Sequence, residues 1–266
     1  MRLARKSADI EIATCRTGDL EVRLANASEI DEALGLRFRV FCEERGAHAG
    51  RPASGIEEDA YDRDCDHLIV VDHGRAGRPV VGTYRLLREE IADRIGGFYS
   101  AGEYDLAPLA ALGRGRGNAP QLLELGRSCV DAEYRTNATI TLLWRAIALY
   151  LQRHRVGFMF GCVSFAGTDP TAIRDELAYL HRFHLAPLEL RVRALPRHHV
   201  EMAGGPDIGD LSGRRLPPLV KAYLRVGAKV GDGAFVDRAF NTVDVFMVMP
   251  VERIVGRYGR RFGLVA

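Results

Sequence analysis

Two opposite charges lie in the middle of an apolar, strand-like run, LELGRSCV (123–130). Glu124 could serve as a general base, because a carboxylate removed from water holds a proton more readily. Arg127 could bind an anion through its planar guanidinium. Neither charge suits a simple buried strand, so the run is a candidate catalytic segment.

Strand geometry makes the pairing of these charges testable. With regular alternation, Glu124 and Arg127 would face opposite sides of a sheet. Gly126 lies between them, and an isolated glycine within a strand often marks a β-bulge. We therefore predict a bulge within residues 124–128 that brings both side chains to one cleft. The alternative is a structural ion pair without contact to a substrate.

The turn that follows, EYRTNAT (133–139), leads from this strand into a long amphipathic stretch. A strand–turn–helix junction directs free backbone N–H groups and the positive end of the helix dipole at one point, which suits an anion. Arg135 adds charge, while Thr136, Asn137 and Thr139 add polar groups. Ordinary helix capping explains the same residues equally well.

Other charged residues are candidates for the same site. Arg85 occupies the middle of an apolar run, PVVGTYRLL (79–87), where a charge is costly without a function or partner. The spaced acids Glu57, Asp59 and Asp62 could bind an ammonium group, or they could form a solvated loop.

Several alternatives are disfavoured. The run DRDCDH (62–67) matches no zinc spacing, so no metal is expected. Cys129 would share the face of Arg127, but no histidine partner for a cysteine nucleophile is apparent. His181 and His184 stand at a predicted helix end, where imidazoles more often bind carbonyl groups.

Composition limits the function classes. The 266 residues carry a net charge of +2, too little to indicate nucleic-acid binding. Five scattered cysteines favour free thiols in a reducing cytoplasm. The longest apolar stretch, 138–151, is too short for a bilayer and contains Arg145, so no transmembrane segment is expected.

The predicted elements alternate in a way typical of a mixed sheet. We predict a hairpin of strands at 67–72 and 79–87, a strand at 121–130, a helix at 137–154 and a strand at 156–165. Asp169 and Pro170 mark the start of a further helix. This order predicts an α/β fold with helices flanking a mixed sheet.

The chain also resembles bacterial ornithine–acyl-ACP N-acyltransferases of the GNAT superfamily, which begin ornithine-lipid synthesis. The resemblance covers residues 20–255 and is carried by the blocks LRFRVFCEERGA, DAYDRDCDHLIVVD, VVGTYRLL, GGFYSAGEYDL, LELGRSCVDAEYRTNATITLLWR, GCVSFAGTDP, LPPLVKAYLRVGAKVGDGAFVDRAFNTVDVFMV and VERI. A more distant similarity links the chain to acyl-homoserine-lactone synthases. The residues shared with that group are Arg37, Phe41, Asp59, Asp62, Arg85, Glu124 and Arg127.

The resemblance implies a GNAT-like fold, with a mixed, largely antiparallel central sheet and a C-terminal extension. Residues 20–185 would form the acyltransferase core, and residues 186–266 would complete the same domain. The implied reaction moves a 3-hydroxy fatty acyl group from acyl carrier protein to the α-amine of L-ornithine. The enzyme would be cytoplasmic, with possible peripheral contact with the inner membrane.

The resemblance also implies roles for particular residues. Glu124 would act as the base, with Arg127 beside it and an oxyanion contact at a backbone N–H near Ser128. The donor-binding residues would be Val130, Arg135, Thr136, Asn137, Ala138, Thr139 and Ser164. The amine-binding residues would be Arg37, Asp59, Asp62, Arg85 and His184.

One departure from the family pattern affects the donor. The GNAT turn reads Arg/Gln-x-x-Gly-x-Gly/Ala, whereas this chain has Ala138 and Ile140 at the small-residue positions. A turn without glycine suits the single phosphate of carrier-bound phosphopantetheine better than the pyrophosphate of coenzyme A. Asn137 tolerates a left-handed backbone in place of glycine. The acyl-phosphopantetheine is thus a co-substrate, and no further cofactor is implied.

Three alternatives remain open. The chain could be an acyl-homoserine-lactone synthase using S-adenosylmethionine, an acetyl-CoA-dependent N-acetyltransferase, or a non-catalytic sensor of acyl carrier protein. Basic segments at 113–117, 191–199 and 213–216 could bind the acidic carrier or could be solvated loops. The segment GDGAFVDRAFNT (231–242) could close the amine pocket or shape turns.

Overall fold

A ten-stranded sheet forms the centre of the molecule. The computed structural model describes residues 14–49, 52–112, 121–204 and 215–252. The sheet strands are β1 (Cys15–Thr17), β2 (Leu20–Leu24), β3 (Asp66–Asp72), β4 (Val80–Arg88), β6 (Gln121–Val130), β7 (Val156–Ala166), β9 (His199–Val200), β10 (Lys229–Val230), β11 (Ala234–Asp237) and β12 (Thr242–Pro250). A separate two-stranded sheet pairs β5 (Tyr104–Asp105) with β8 (Arg193–Ala194).

The strand order of the large sheet is β1-β2-β3-β4-β6-β7-β12-β11-β9, with β10 also paired to β12. Every neighbouring pair is antiparallel except β6 and β7, which run parallel. This confirms the predicted mixed, largely antiparallel sheet. The strands contributed by the end of the chain continue the same sheet as those near its beginning.

Helices cover both faces of the sheet. They are α1 (Ile30–Arg37), α2 (Glu89–Ile95), α3 (Ala107–Leu112), α4 (Asn137–Arg153), α5 (Arg174–His184) and α6 (Pro218–Arg225). A π-helix, Phe38–Glu44, continues α1 directly. The predicted helix at 137–154 is confirmed, and its apolar face is buried against the sheet. None of the described helices has the length and apolar character needed to cross a membrane.

The two faces of β6 support different cores. Leu123 and Leu125 belong to the large core that contains the buried face of α4, together with residues of α5 and α6. Leu122 belongs to a second core that also contains Phe160 of β7 and lies on the other face. Because side chains alternate along a strand, Glu124 faces the same side as Leu122.

The parallel ladder between β6 and β7 ends early and forms a fork. Its last paired residues are Glu124 and Phe160, although β7 continues beside β12 as far as Ala166. At the fork, the backbone of Gly161 approaches the Leu125 carbonyl so closely that a Cβ on Gly161 would lie 2.1 Å from that oxygen. Only glycine permits this approach, which sets where the two strands separate.

Some predictions fall on residues that the structure leaves undescribed. They concern the basic segment at 113–117 and the first two residues of the basic segment at 213–216.

Candidate active site

The predicted bulge is present in β6. Thr83 pairs with Cys129 and Arg85 pairs with Gly126, so two residues of β6 oppose one residue of β4. Arg127 occupies the bulge with φ of +50°, a left-handed conformation that is uncommon outside glycine. Strained backbone of this kind concentrates at functional sites.

The bulge brings Glu124 and Arg127 to one side of the sheet, as predicted. Both meet the segment that begins at Tyr99. The Glu124 carboxylate accepts a hydrogen bond from the Tyr99 backbone N–H at 2.8 Å, and the Arg127 guanidinium lies 4.5 Å from the centre of the Tyr99 ring. Within the described residues, no contact joins the two charges directly. The direct ion pair considered as an alternative is therefore wrong.

Glu124 is a buried carboxylate held by three donors. Besides Tyr99, the Ser100 backbone N–H donates at 2.8 Å and the Ser100 hydroxyl donates through a short hydrogen bond. Burial raises the pKa of Glu124, although the Ser100 hydrogen bonds and the charge of Arg85 oppose the rise. A carboxylate offers about four acceptor positions, so three donors leave a position for a substrate proton.

Arg127 belongs to a closed ring of alternating charges, which we call the charge ring. Its members, in order, are Arg37, Glu57, Arg127, Asp59, Arg85 and Asp62. The consecutive N–O distances around the ring are 2.6, 3.3, 2.9, 2.6, 3.1 and 2.6 Å. Three positive and three negative side chains thus compensate each other without a ligand.

Burial shows which members of the charge ring a substrate could reach. Arg37 is fully buried, and the side chains of Glu57 and Asp62 are each 1% exposed. Asp59 is the most accessible member, with a side chain that is 22% exposed. Burial alone would raise the pKa of Asp62, but Arg37 and Arg85 together outweigh it and hold that pKa well below its usual range. The ring ties α1, the 57–62 loop, β4 and β6 together through these ion pairs.

The predicted amine-binding residues therefore divide into two groups. Arg37, Asp59, Asp62 and Arg85 lie together in the charge ring, where each already has partners of opposite charge. His184 lies apart from them at the end of α5, with its Nε2 3.5 Å from the Tyr179 hydroxyl. Burial and the charge of Lys229 lower the pKa of His184.

The turn before α4 is arranged as a helix cap. The Thr136 side chain accepts a hydrogen bond from the Thr139 backbone N–H at 3.3 Å, and the Thr139 hydroxyl is buried against it. Asn137 and Ala138 form the first turn of α4, and Asn137 does not have the left-handed backbone expected of it. The cap at Thr136 makes a left-handed residue unnecessary, because α4 begins directly after it.

Arg135 is engaged at the surface. Its guanidinium forms a two-pronged ion pair with Glu44, with N–O distances of 2.7 and 2.5 Å, and its Nε donates to the Val130 carbonyl at 3.0 Å. The side chains of Arg135 and Glu44 are 37% and 41% exposed. An exposed pair of this kind contributes little to stability and is easily exchanged for another anion.

Ser128 lies on the opposite face of β6 from Arg127. Its side chain hydrogen-bonds the Tyr84 hydroxyl, which lies 3.3 Å from the Tyr223 hydroxyl. Tyr223 also lines a small apolar cavity at the fork. The other residues around this cavity are Leu125, Phe160, Gly161, Cys162, Val163, Met247 and Met249.

Cys129 is a core residue. It is 5% exposed and packs in the cluster under α1, and burial raises the pKa of its thiol to about 12. A thiol with this pKa carries almost no thiolate at neutral pH, which argues against the covalent alternative.

Sequence reasoning missed a second cluster of acids, which we call the acid pocket. It consists of Glu103, Asp237 and Asp244, and one carboxylate oxygen of each lies within 4.8 Å of the others. Burial raises the pKa of Glu103 to about 8 and that of Asp244 to about 7, and the negative charges of the neighbouring acids add to both shifts. Ser164, predicted to line the donor site, hydrogen-bonds Asp244.

Comparison with known proteins shows the family to which the chain belongs. Residues 36–145 match the model of the acetyltransferase (GNAT) domain family. The crystal structure of TofI in a ternary complex with an inhibitor and MTA has the same fold, with a TM-score of 0.50 at 14% identity, covering 92% of this chain and 96% of that chain. The family model indicates a GNAT domain in this part of the chain, and the shared fold agrees with it.

Two relatives narrow this class. The L-ornithine N(alpha)-acyltransferase of Agrobacterium fabrum (strain C58 / ATCC 33970) is 46% identical over 260 residues, covering 93% of this chain and 86% of the relative. That of Brucella abortus (strain 2308) is 45% identical, covering 94% and 91%. The chain belongs to the L-ornithine Nα-acyltransferase family.

Proposed function

We propose that the chain transfers a 3-hydroxy fatty acyl group from acyl carrier protein to the α-amine of L-ornithine, giving a lyso-ornithine lipid. The names of its relatives support ornithine as the acceptor. The observation that carries the chemistry is the position of Glu124, a buried carboxylate at the point where β6 and β7 separate. Such a group can take up a proton beside a thioester lying in the fork.

Deprotonation of the acceptor is the task assigned to Glu124. An α-amine has a pKa of about 8 in peptides, so only roughly a tenth is neutral at pH 7, and less in a free amino acid. Burial raises the pKa of Glu124 and makes it a stronger base than a solvated glutamate. The Ser100 hydroxyl, which donates to the carboxylate, holds it in one orientation.

The acyl transfer needs no covalent enzyme intermediate. The neutral amine attacks the thioester carbonyl, a C–N bond forms, and the C–S bond breaks. Glu124 takes the first proton, from the ammonium, and later releases it to solvent. The second proton, which the nitrogen loses as the C–N bond forms, passes to the departing pantetheine sulfur, which leaves as a thiol. Beyond Glu124 the edge of β6 facing β7 is free of the parallel ladder, so a backbone N–H near Ser128 can stabilise the oxyanion.

The apolar cavity at the fork is the proposed entrance for the acyl chain. Met247 and Met249 line it, and methionine side chains adjust readily to make room. The neighbouring hydroxyls of Tyr84 and Tyr223 can hydrogen-bond a hydroxyl group on the chain. This combination of apolar walls and one polar corner suits a 3-hydroxyacyl donor.

The phosphate of phosphopantetheine would lie at the start of α4. Arg135 can exchange its exposed partner Glu44 for this phosphate, and the first N–H groups of α4 can add hydrogen bonds. The turn lacks the glycines of a pyrophosphate-binding loop, which favours acyl carrier protein over coenzyme A. Exposed arginines of the 191–199 segment, such as Arg193, would meet the acidic carrier.

Product analysis tests the proposal. Purified protein is incubated with 3-hydroxyacyl-ACP and a panel of amino acids, and the products are identified by mass spectrometry. Acyl-ornithine as the main product supports the proposal. Turnover only with S-adenosylmethionine, or only with acetyl-CoA as donor, contradicts it. Binding of the acyl carrier without turnover, unchanged in Glu124→Gln, would indicate a sensor.

A further inference from the structure

The acid pocket is formed where three segments meet beside the fork. Glu103 follows the turn Tyr99–Gly102, Asp237 ends β11, and Asp244 lies in β12 opposite Ser164 of β7. The three carboxylates contribute oxygens within 4.8 Å of one another. The pocket is therefore built on strands of the central sheet and on the segment that also holds Glu124.

Two of these acids have unused hydrogen-bonding capacity despite their burial. Glu103 is 6% exposed and Asp244 is 5% exposed. Glu103 Oε2 and Asp244 Oδ1 are buried and have no hydrogen-bond partner. A buried polar atom without a partner costs free energy, so its persistence indicates a ligand that supplies donors.

Charge balance separates the acid pocket from the charge ring. The three arginines of the ring are matched by three acids of the ring. In the part of the chain that the structure describes, no ion pair reaches Glu103, Asp237 or Asp244. Asp237 Oδ1 instead accepts from the backbone N–H groups of Ala239 and Phe240, at 2.8 and 3.1 Å. The pocket thus contains acceptors without an ion-paired cation, and the charge of Arg127 only partly offsets the rise in the pKa values of Glu103 and Asp244.

A short chain of contacts connects the acid pocket to the proposed base. The Ser100 hydroxyl that donates to Glu124 lies 3.7 Å from the Cys162 thiol, and Cys162 hydrogen-bonds Glu103. A substrate with two nitrogen groups on a short aliphatic stem can therefore place one near Glu124 and the other in the pocket.

We propose that the acid pocket binds the side-chain ammonium of the acceptor amino acid and so selects a diamino acid. This inference rests on the ornithine acylation proposed above and adds the residues that would select the acceptor. An ammonium has three donors, and acceptors about 2.8 Å from its nitrogen in a tetrahedral arrangement lie roughly 4.6 Å apart, a spacing that the pocket can provide. The raised pKa values of Glu103 and Asp244 agree with a pocket in which a bound cation would stabilise the ionised carboxylates.

The test compares L-ornithine with L-norvaline, which has the same carbon chain without the δ-amine. The variants are Glu103→Gln, Asp244→Asn and the double variant, because these changes remove charge and keep shape. Asp105→Asn is the control, since Asp105 is two residues from Glu103 but is exposed and only caps the backbone N–H of Ala107. Steady-state kcat/KM is measured for both amino acids with the same acyl donor, and thermal melting verifies folding.

If the acid pocket binds the side-chain ammonium, the double variant loses about 10²-fold in kcat/KM for ornithine. Its kcat/KM for norvaline changes by less than about threefold, the KM for the acyl donor stays constant, and the control resembles the wild type. Equal losses for ornithine and norvaline would overturn the inference and indicate a structural role. Activity that depends on a divalent cation, abolished by a chelator and restored by Ca²⁺ or Mg²⁺, would also overturn it.

Failure of the proposed function has a different signature. In that case the wild-type protein produces no acyl-ornithine, whatever the variants do. Failure of the present inference leaves ornithine acylation by the wild type intact and removes only the ornithine-specific effect of the acid pocket.

Discussion

The charge ring and the acid pocket are both rich in buried carboxylates and both adjoin the segment that holds Glu124. They differ in charge balance. Every carboxylate of the ring contacts arginine, and Arg37 and Arg85 together hold the pKa of Asp62 low. In the pocket, burial raises the pKa of Glu103 and Asp244. Compensated charges fasten segments together, whereas uncompensated charges remain available to a ligand.

Removing a member of the charge ring should have the largest effect. Arg37→Met leaves Glu57 and Asp62 buried without their main cation, and losing one partner of a buried ion pair costs about 3–5 kcal/mol. Urea unfolding should show a loss of this size. Arg135→Met, which breaks an exposed ion pair, is the matched control and should cost at most about 1 kcal/mol. Similar losses for both variants would mean that the ring does not stabilise the fold.

The free energy of unfolding should depend on pH in opposite directions for the two regions. Asp62 has a lowered pKa in the folded state, so its contribution is present above the unfolded value of about 4 and is lost as pH falls below it. Glu103 and Asp244 have raised pKa values in the folded state, about 8 and about 7. Their contribution to the free energy of unfolding is therefore present below about pH 4 and is lost as the pH rises through these two values.

Urea unfolding from pH 3 to pH 9 measures both trends. In the double variant Glu103→Gln/Asp244→Asn, the free energy of unfolding should decline less between pH 4 and 8. The loss of stability below about pH 4, which is assigned to Asp62, should remain. Saturating ornithine should reduce the same decline in the wild type, because a bound cation favours the ionised carboxylates. A wild type whose stability rises continuously up to pH 8 would contradict the pocket's electrostatics.

Much of the fold and part of the candidate site could be predicted from the sequence. The strand at 121–130 and the helix after it follow from apolar periodicity and turn residues. The bulge follows from Gly126 between two charges that need the same face. The closure of the charge ring depends on how four segments meet, which no local pattern specifies.

The acid pocket was partly accessible from the sequence. Asp244 is a carboxylate inside an apolar strand run, FNTVDVFMV, the same kind of pattern that singled out Glu124 and Arg85. Glu103 lies in an irregular segment without periodicity, so its burial could not be foreseen. Asp237 lies in the 231–242 segment, for which the sequence allows either the amine pocket or a turn. In the structure it caps the turn at Ala239 and Phe240 and also lines the acid pocket.

A smaller effect on kinetics is expected at Arg135, in the proposed binding site for the acyl donor. Arg135→Ala should raise the KM for the acyl-carrier donor about tenfold and leave the KM for ornithine nearly unchanged, because Arg135 lies at the α4 turn. Glu44→Gln is the matched control, since it frees Arg135 and should leave the donor KM unchanged or lower. Steady-state kinetics with each substrate varied separately measures both. An equal rise in both KM values for Arg135→Ala would assign Arg135 to the fold.

The smallest effect is expected at Cys129. Cys129→Ala should keep kcat within about twofold of the wild type, because the thiol is buried and its pKa of about 12 excludes a useful thiolate. Mass spectrometry of the protein after a single addition of acyl donor should detect no acylated cysteine. A trapped acyl-enzyme that disappears in Cys129→Ala would replace direct transfer with a two-step reaction.

The central claim is that a buried carboxylate at the fork deprotonates the attacking amine. Its most direct test is the single-turnover rate of thioester consumption in Glu124→Gln, with saturating ornithine at pH 7. Gln keeps the side-chain shape and one acceptor oxygen for the Ser100 donors, although its NH2 group replaces the oxygen that accepts from Tyr99. Thermal melting verifies that the variant is folded, and the rate should fall by about 10²–10⁴-fold. A folded variant that consumes the thioester as fast as the wild type would contradict the mechanism.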